Sequence, residues 1–234
     1  MNVATWNMQG ASHSTEDKWN KGVQALLNMS GSLRPDAICL QEAGAVPASA
    51  KQEATSEFRG PGGRPVYVYI YSWGGTDRTA RRLVYFWWDE AGNRCNLGVI
   101  TRELIPFDSL EVGLNWAQAG PEWRPAVGLR AGRSTWLFSV HAISPGGADA
   151  PGLVNAVQSY ARGRPWAVGG DFNREPNTFN VPNATVRPPN EPSYSVTNPV
   201  SRYDYLVQSG DNNNPGAVVK QLVMSDHYPV AFAL

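Results

Sequence analysis

The sequence has few cysteines and no long apolar run, and both absences narrow the class of protein. Its 234 residues contain only Cys39 and Cys95, too few for a disulfide scaffold and without the spacing of a zinc site. That spacing leaves open whether the two form a disulfide. Gly, Pro or charge interrupts every apolar run before the ~20 residues that span a bilayer. We therefore expect a soluble protein without a transmembrane segment, and the first residues show no signal-peptide pattern.

Net charge is absent as well. Twenty Lys plus Arg balance twenty Asp plus Glu, which excludes a histone-like binder, so any nucleic-acid affinity must come from a local patch. Lysine is scarce, with 4 Lys against 16 Arg, and Arg is the residue suited to bidentate phosphate contact. Hydrophobic residues make up 42% and charged residues 17%. This composition excludes disorder over the whole chain and predicts a substantial core.

Short β-type runs recur along the chain and predict about ten strands. The runs are Val3–Trp6, Ala37–Leu40, Val66–Tyr71, Leu83–Trp88, Leu97–Thr101, Ala126–Leu129, Thr135–Val140, Trp166–Val168, Tyr205–Val207 and Tyr228–Phe232. Two segments have helical spacing instead. One has its N-cap signal at Ser14 and stops at Gly31, and the other opens at Pro151 and ends at Gly163. Both are amphipathic and are expected to cover a sheet.

Two stretches are interpreted as irregular excursions, residues 44–64 and residues 175–202. The first is polar with Gly and Pro at its end, and the second contains six prolines. Loops of this length in a compact domain usually belong to a site or are mobile. No internal repeat or linker divides the chain. Many strands, few helices and short connections predict one domain over residues 1–234, an α/β sandwich with two sheets.

Polar residues stand where the predicted strands stop. They are Asn7, Gln41, Glu42, His141, Asp171 and Asn173 after strands, and Asp226 and His227 before the last strand. Strand ends in an α/β sheet converge on one rim, where ligands bind. Taken alone, each residue has a simpler interpretation as a turn former, a solvated carboxylate or a hydrogen-bonded histidine. Only the set as a whole indicates one cleft.

The joint set has the composition that metal-assisted phosphodiester hydrolysis needs. Oxygen ligands for Mg²⁺ are available from Glu42, Asp171, Asp226 and the amides Asn7 and Asn173. Two of the three histidines, His141 and His227, fall in the set, and histidine titrates near neutrality. Arg94 and Arg124 can hold phosphate oxygens through their guanidinium groups.

Six motifs in the same order resemble the B-subunit family of the cytolethal distending toxins. That family belongs to the deoxyribonuclease I-like endonuclease/exonuclease/phosphatase superfamily. The motifs are Asn2–Gly10, Gln41–Gly44, Asn93–Leu97, Arg124–Gly128, Gly170–Arg174 and Ser225–Val230, with Lys18–Asn20 and Glu191-Pro192 between them. The resemblance spans nearly the whole chain, although residues 175–202 match poorly apart from Glu191-Pro192.

The resemblance implies a four-layer α/β/β/α fold and a Mg²⁺-dependent nuclease, with Mn²⁺ or Ca²⁺ as substitutes. It implies that His227 is the general base, Asp204 its orienting carboxylate, and His141 the second histidine at the phosphate and leaving group. It further implies a metal shell and a set of phosphate contacts. The metal shell is Glu42, Asn7, Asp171 and Asp226, with Asp226 also catalytic, and the phosphate contacts are Arg94, Arg124 and Asn173. Asp77 and Glu90 are candidates for a carboxylate that supports His141.

The same resemblance implies the biological setting. It predicts a secreted bacterial toxin component that partner subunits deliver into a host cell and its nucleus, where it nicks double-stranded DNA. An alternative keeps the site and changes the substrate to phosphatidylinositol 3,4,5-trisphosphate. A third hypothesis is a catalytically inactive binding protein, against which the intact set of acids and histidines counts. Trp87-Trp88 can mark a partner surface or, as aromatic residues in a β sandwich more often do, the core.

Overall fold

A computed structural model describes the protein over residues 1–10, 15–75, 79–88, 95–117 and 124–234. The strands in these ranges are β1 (Asn2–Asn7), β2 (Ala37–Gln41), β3 (Lys51–Arg59), β4 (Pro65–Trp73), β5 (Arg81–Phe86), β6 (Leu97–Thr101), β7 (Leu110–Trp116), β8 (Pro125–Ala131), β9 (Trp136–His141), β10 (Trp166–Asp171), β11 (Thr185–Arg187), β12 (Asp204–Gln208), β13 (Ala217–Val218) and β14 (Val230–Ala233). They form an eight-stranded sheet in the order β13-β14-β1-β2-β6-β5-β4-β3 and a six-stranded sheet in the order β11-β12-β10-β9-β8-β7.

The helices are few, as predicted. The first helical segment consists of α1 (Thr15–Asp17), a π-helical stretch Lys18–Val23 and α2 (Gln24–Leu27), and the second helix is α3 (Ala150–Ala161). Short 3₁₀ turns lie at Pro61–Gly63, Phe107–Ser109 and Pro176–Thr178. None of the helices in the described part of the chain has the length and apolar character needed to cross a membrane.

Strand β1 shows why the sheets pack in layers. Successive side chains of a strand point to opposite faces, and here both faces are buried. Val3 packs in the core between the two sheets, whereas Ala4 and Trp6 pack in a second core under the first helical segment. Helix α3 covers the outer face of the six-stranded sheet through Leu153 and Val157, which are fully buried. The predicted four-layer α/β/β/α sandwich is confirmed.

Two parallel strand pairs carry the predicted site residues to one rim. Strands β1 and β2 are parallel and end level with each other at Asn7 and Gln41. Strands β9 and β10 are parallel and end level at His141 and Asp171. The remaining named strand pairs are antiparallel, and Asp204 at the start of β12 lies opposite Asp171.

Each of the ten predicted strands overlaps an observed strand. The interpretation of residues 44–64 as an irregular excursion is wrong, because β3 runs through it and pairs along its length with β4. It is an exposed edge strand rich in Lys, Glu and Arg, and edge strands use such charges to prevent further pairing. Because of these charged residues, β3 lacks the apolar run from which the other strands are predicted. Strands β7, β11 and β13 were also not predicted.

The first helical segment and the two cysteines have defined surroundings in the structure. The first helical segment is amphipathic, as predicted, and the apolar side chains that it buries are Trp19, Val23, Leu26 and Leu27. The proposed N-cap Ser14 lies outside the described residues. Cys39 and Cys95 do not form a disulfide, and burial raises the pKa of the Cys39 thiol to about 12.

Gly22 is required where the first helical segment meets β1. A Cβ at this position would lie 2.6 Å from the ring of the fully buried Trp6. Gly22→Ala should therefore lower the free energy of unfolding by about 1–3 kcal/mol through overpacking, although helix propensity alone favours alanine by about 1 kcal/mol. Urea denaturation measures the change, with the exposed Asn20→Ala as control. A Gly22→Ala protein more stable than wild type would contradict this packing.

Candidate active site

The strand ends of both sheets surround one cleft of about 710 Å³. Its lining consists of Asn7, Glu42, Cys95, Arg124, His141, Ser144, Asp171, Asn173, Tyr194, Tyr203, Asp226 and His227. Every residue predicted to be catalytic, metal-binding or phosphate-binding in the described ranges is in this lining except Asp204, which lies behind His227. The structure thus brings together side chains that are up to 220 positions apart, for example Asn7 and His227.

The imidazole of His227 is held by a buried carboxylate. Its Nδ1 lies 2.8 Å from Oδ2 of Asp204, and the Ser193 hydroxyl donates to the same oxygen at 2.7 Å. Asp204 and Ser193 are both fully buried. A carboxylate at Nδ1 fixes the ring orientation and directs Nε2 away from itself. Asp204 therefore has the position predicted for the residue that orients His227.

Asp171 lies at the centre of the cleft, between the two histidines. Its Oδ2 is 3.6 Å from Nε2 of His141 and 3.7 Å from Nε2 of His227. The side-chain amide of Asn7 donates to the same oxygen at 2.9 Å. Nε2 of His141 is also 3.8 Å from Oε1 of Glu42. Both imidazoles therefore present Nε2 to the carboxylates of one small space.

The charges in this space change the protonation of His227. Burial lowers the pKa of the imidazole, but the carboxylates of Asp204, Asp171 and Asp226 outweigh burial and raise it to about 10. Burial raises the pKa of Asp171, and the neighbouring Asp204 charge raises it further. Without a cation in the cleft, His227 is the positive partner of the acids.

Backbone conformation places Glu42 and Asn7 at the rim. Glu42 has a left-handed φ of 44° just after β2, which turns its side chain out of the strand. Gly10 packs against this turn so closely that a Cβ would lie 2.2 Å from the Glu42 carbonyl oxygen. The Asn7 Oδ1 accepts from the Gln9 amide at 2.9 Å, so its NH₂ group is the part that faces Glu42 and Asp171. In this arrangement, Asn7 orients the two acids.

Ser225 joins the last strand to the first at the base of the cleft. Its hydroxyl donates to the Asn7 carbonyl at 2.7 Å, and the His227 amide donates to the Ser225 hydroxyl oxygen at 3.2 Å. The Trp6 indole donates to the His227 carbonyl at 3.1 Å. These contacts keep His227 in place relative to β1.

The predicted phosphate contacts converge on the turn after β9. Nη1 of Arg124 donates to the carbonyls of His141 at 3.3 Å and Ala142 at 3.1 Å. The Asn173 amide donates to the same Ala142 carbonyl at 2.9 Å. Arg124 and Asn173 thus lie side by side at the cleft wall. Arg94, the third predicted contact, lies outside the described residues, as do Asp77 and Glu90.

The donor set fits a hard divalent cation. Glu42, Asp171 and Asp226 supply carboxylate oxygens to the cleft, and oxygen ligands are those that Mg²⁺ prefers. The Asp171 carboxylate is almost fully buried beside another acid. Burial of its negative charge costs free energy unless a positive charge compensates it. A cation bound by these residues would supply that charge.

Asp171, Asp204 and His227 also bring one potential ligand atom each within 4.8 Å of the others. Asp204 and His227 are better explained as a hydrogen-bonded pair than as two metal ligands, because Oδ2 of Asp204 and Nδ1 of His227 are at hydrogen-bond distance. We therefore assign Asp171 to the cation side of the cleft and Asp204 to the histidine.

Several residues of the site had no usable sequence signal. Tyr194 packs its ring 4.5 Å from the His227 imidazole and stacks on Tyr203 at 5.6 Å. Tyr194 and Ser193 come from the proline-rich segment 175–202, where the motifs match poorly. Lys18 stands out in the sequence only as part of a motif, yet its buried ammonium group donates to the Met8 and Gln9 carbonyls. Their roles depend on side-chain contacts that helix or strand spacing does not display.

The sequence and the overall fold of this chain match those of known proteins. Residues 4–227 match the model of the endonuclease/exonuclease/phosphatase family. The chain belongs to that family. It is 33% identical to a cytolethal distending toxin B-subunit homolog of Salmonella typhi, over 98% of this chain and 88% of that protein. It is 36% identical to the cytolethal distending toxin B-subunit of Escherichia coli, over 79% of this chain and 68% of that protein.

A solved structure shows the same relation. A chain in the crystal structure of the cytolethal distending toxin from Actinobacillus actinomycetemcomitans matches with a TM-score of 0.80 at 30% identity, covering 99% of this chain and 97% of that one. The resemblance to the B-subunit family of these toxins is thereby confirmed. Membership in the wider family supports a hydrolase that acts on phosphodiester bonds.

The raised pKa of His227 predicts a pH-dependent stability in the metal-free protein. The folded state keeps a proton that the unfolded chain loses near pH 6.5. The stabilisation is therefore complete below about pH 6.5 and is lost as the pH rises through about 10. Urea denaturation in EDTA across this range should show the advantage of wild type over His227→Gln decreasing with pH. Parallel pH profiles for the two proteins would contradict the assignment.

Proposed function

We propose that the protein is a Mg²⁺-dependent DNA endonuclease, the catalytic subunit of a cytolethal distending toxin. The observation that carries the proposal is the Asp204–His227 pair, whose Nε2 faces Asp171 inside a cleft that also holds a second histidine and an arginine. This arrangement provides a positioned base, a cation site and phosphate-binding groups in one space.

In the proposed reaction, His227 takes a proton from a water molecule through Nε2 while Asp204 holds Nδ1. The water oxygen bonds to phosphorus as the bond from phosphorus to the leaving sugar oxygen breaks. His141, at the opposite side of Asp171, faces the phosphate and the leaving oxygen, which takes up a proton from solvent water. Arg124 and Asn173 hold the non-bridging phosphate oxygens.

The residues that would hold the cation are Glu42, Asp171 and Asp226, with Asn7 beside them. Mg²⁺ is the proposed ion, with Mn²⁺ or Ca²⁺ as substitutes. When bound, a divalent cation would offset the phosphate charge and the carboxylate charges that keep His227 protonated. Asp226 is proposed both as a ligand of the cation and as a catalytic residue. It lies next to His227 in the chain and is part of the cleft lining.

The relatives support the proposed setting. Two of them are named as the B-subunit of a cytolethal distending toxin or its homolog. For this chain we infer secretion by a bacterium, delivery into a host cell and its nucleus by partner subunits, and damage to double-stranded DNA. The formal net charge of zero means that DNA attraction must come from Arg124 in the cleft and from any nearby basic groups.

Nicking of supercoiled plasmid tests the proposal. With Mg²⁺ the wild type should convert the plasmid to open circle, and EDTA should abolish the reaction. His227→Ala should lower the rate by about 10²–10⁴-fold, the usual contribution of general acid–base catalysis. The exposed Lys21→Ala serves as the control, because the Lys21 side chain pairs with Asp17 on the helix surface.

Other outcomes favour the alternatives. No nicking together with phosphate release from phosphatidylinositol 3,4,5-trisphosphate would replace DNA as the substrate and keep the site. No activity on either substrate would favour an inactive binding protein. Duplex binding in EDTA should weaken steeply with salt if several phosphates are contacted.

A further inference from the structure

A chain of buried hydrogen bonds crosses between the two sheets directly under the cleft. The Thr5 hydroxyl donates to Oε1 of Gln41 at 3.2 Å, and Nε2 of Gln41 donates to the Ser139 hydroxyl at 2.9 Å. The Ser139 hydroxyl in turn donates to the Leu40 carbonyl at 2.8 Å. Thr5, Gln41 and Ser139 are all fully buried. We refer to these three side chains as the inter-sheet bridge.

Each member of the bridge precedes a site residue by one or two positions in the chain. Gln41 immediately precedes Glu42 at the end of β2. Thr5 in β1 and Ser139 in β9 are two positions before Asn7 and His141, so they face the same side as those residues. Because β1 and β2 belong to one sheet and β9 to the other, the bridge joins the two halves of the cleft.

The surroundings of the bridge are otherwise apolar. One rung further from the cleft, Cys39 packs between the sheets and its thiol contacts the Phe138 carbonyl at 3.3 Å. Apolar packing is non-directional, so it holds two sheets together without setting one separation or register. Polar groups in such a place are costly unless every partner is satisfied, and a satisfied network specifies one arrangement.

We propose that Gln41 is a positioning residue that sets the distance between the site residues of one sheet and those of the other. On one side are Asn7 and Glu42, and on the other are His141 and Asp171. The inference rests on the proposed cation site, because Glu42 and Asp171 come from different sheets and must approach a single ion together. Gln41 is fully buried and does not line the cleft.

Calorimetric titration of the metal-free protein with Mg²⁺ tests this role without requiring activity. Gln41→Met keeps the approximate side-chain length and removes both hydrogen-bonding groups. We expect it to bind Mg²⁺ about 10-fold or more weakly, the scale seen when partners of metal ligands are removed. Cys39→Ala is the matched control, in the same strand and the same inter-sheet layer. It should lower thermal stability and leave Mg²⁺ affinity unchanged.

A second pair of variants covers the case in which Gln41→Met does not fold. Thr5→Val keeps the side-chain shape and loses the hydroxyl, whereas Thr5→Ser keeps the hydroxyl. We expect Mg²⁺ affinity to fall several-fold in Thr5→Val and to stay within about two-fold of wild type in Thr5→Ser.

The possible failures can be told apart. Wild-type affinity in Gln41→Met, or equal affinities in Thr5→Val and Thr5→Ser, would overturn the role of the bridge alone. If the wild type binds no Mg²⁺ while it still nicks DNA, the proposed ion and this inference both fail and the endonuclease proposal stands with another cation.

Discussion

The packing of the two sheets against each other is the constraint on which the site depends. The acids and the histidines, together with the proposed phosphate-binding groups, come from two sides. One side is β1, β2 and the segment before β14, and the other is β8, β9, β10 and β12 with the residues that adjoin them. Gly169 in β10 permits this approach, because a Cβ there would lie 3.1 Å from the Cys39 sulfur of the facing sheet. A change in sheet separation would move half of the cleft relative to the other half.

The packing of the sheets also determines which charges surround His227. Three carboxylates near His227 raise its pKa, although burial alone would lower it. Two of these acids, Asp171 and Asp226, also line the cleft. A proton on His227 or a cation beside these two carboxylates would therefore supply the positive charge that they need. The arrangement that suits a metal-dependent hydrolase therefore also determines how the metal-free protein responds to pH.

Much of the fold could be predicted because its strands are short apolar runs with clear ends, such as Val3–Trp6 and Leu97–Thr101. Strand β3 could not, because its exposed edge position selects charged residues instead of apolar ones. Most of the site could be predicted as well, since its polar residues end buried strands. Ser193 and Tyr194 could not, because the proline-rich segment that contains them has no regular pattern. Lys18 lies in a predicted helix and in a motif, but helical spacing does not show that its ammonium group bonds to carbonyls of the loop after β1.

The sequence by itself determined the chemistry that is available: oxygen ligands, two histidines at strand ends and arginine for phosphate. Residue types are given by the sequence, and the positions of strands can be predicted from local composition and periodicity. The resemblance to a known family implied that Asp204 orients His227. Only the tertiary structure placed these two side chains 2.8 Å apart, turned the Asn7 NH₂ group toward the acids and joined the sheets through Gln41. Those choices depend on distances between strands that are far apart in sequence, and local pattern carries no information about such distances.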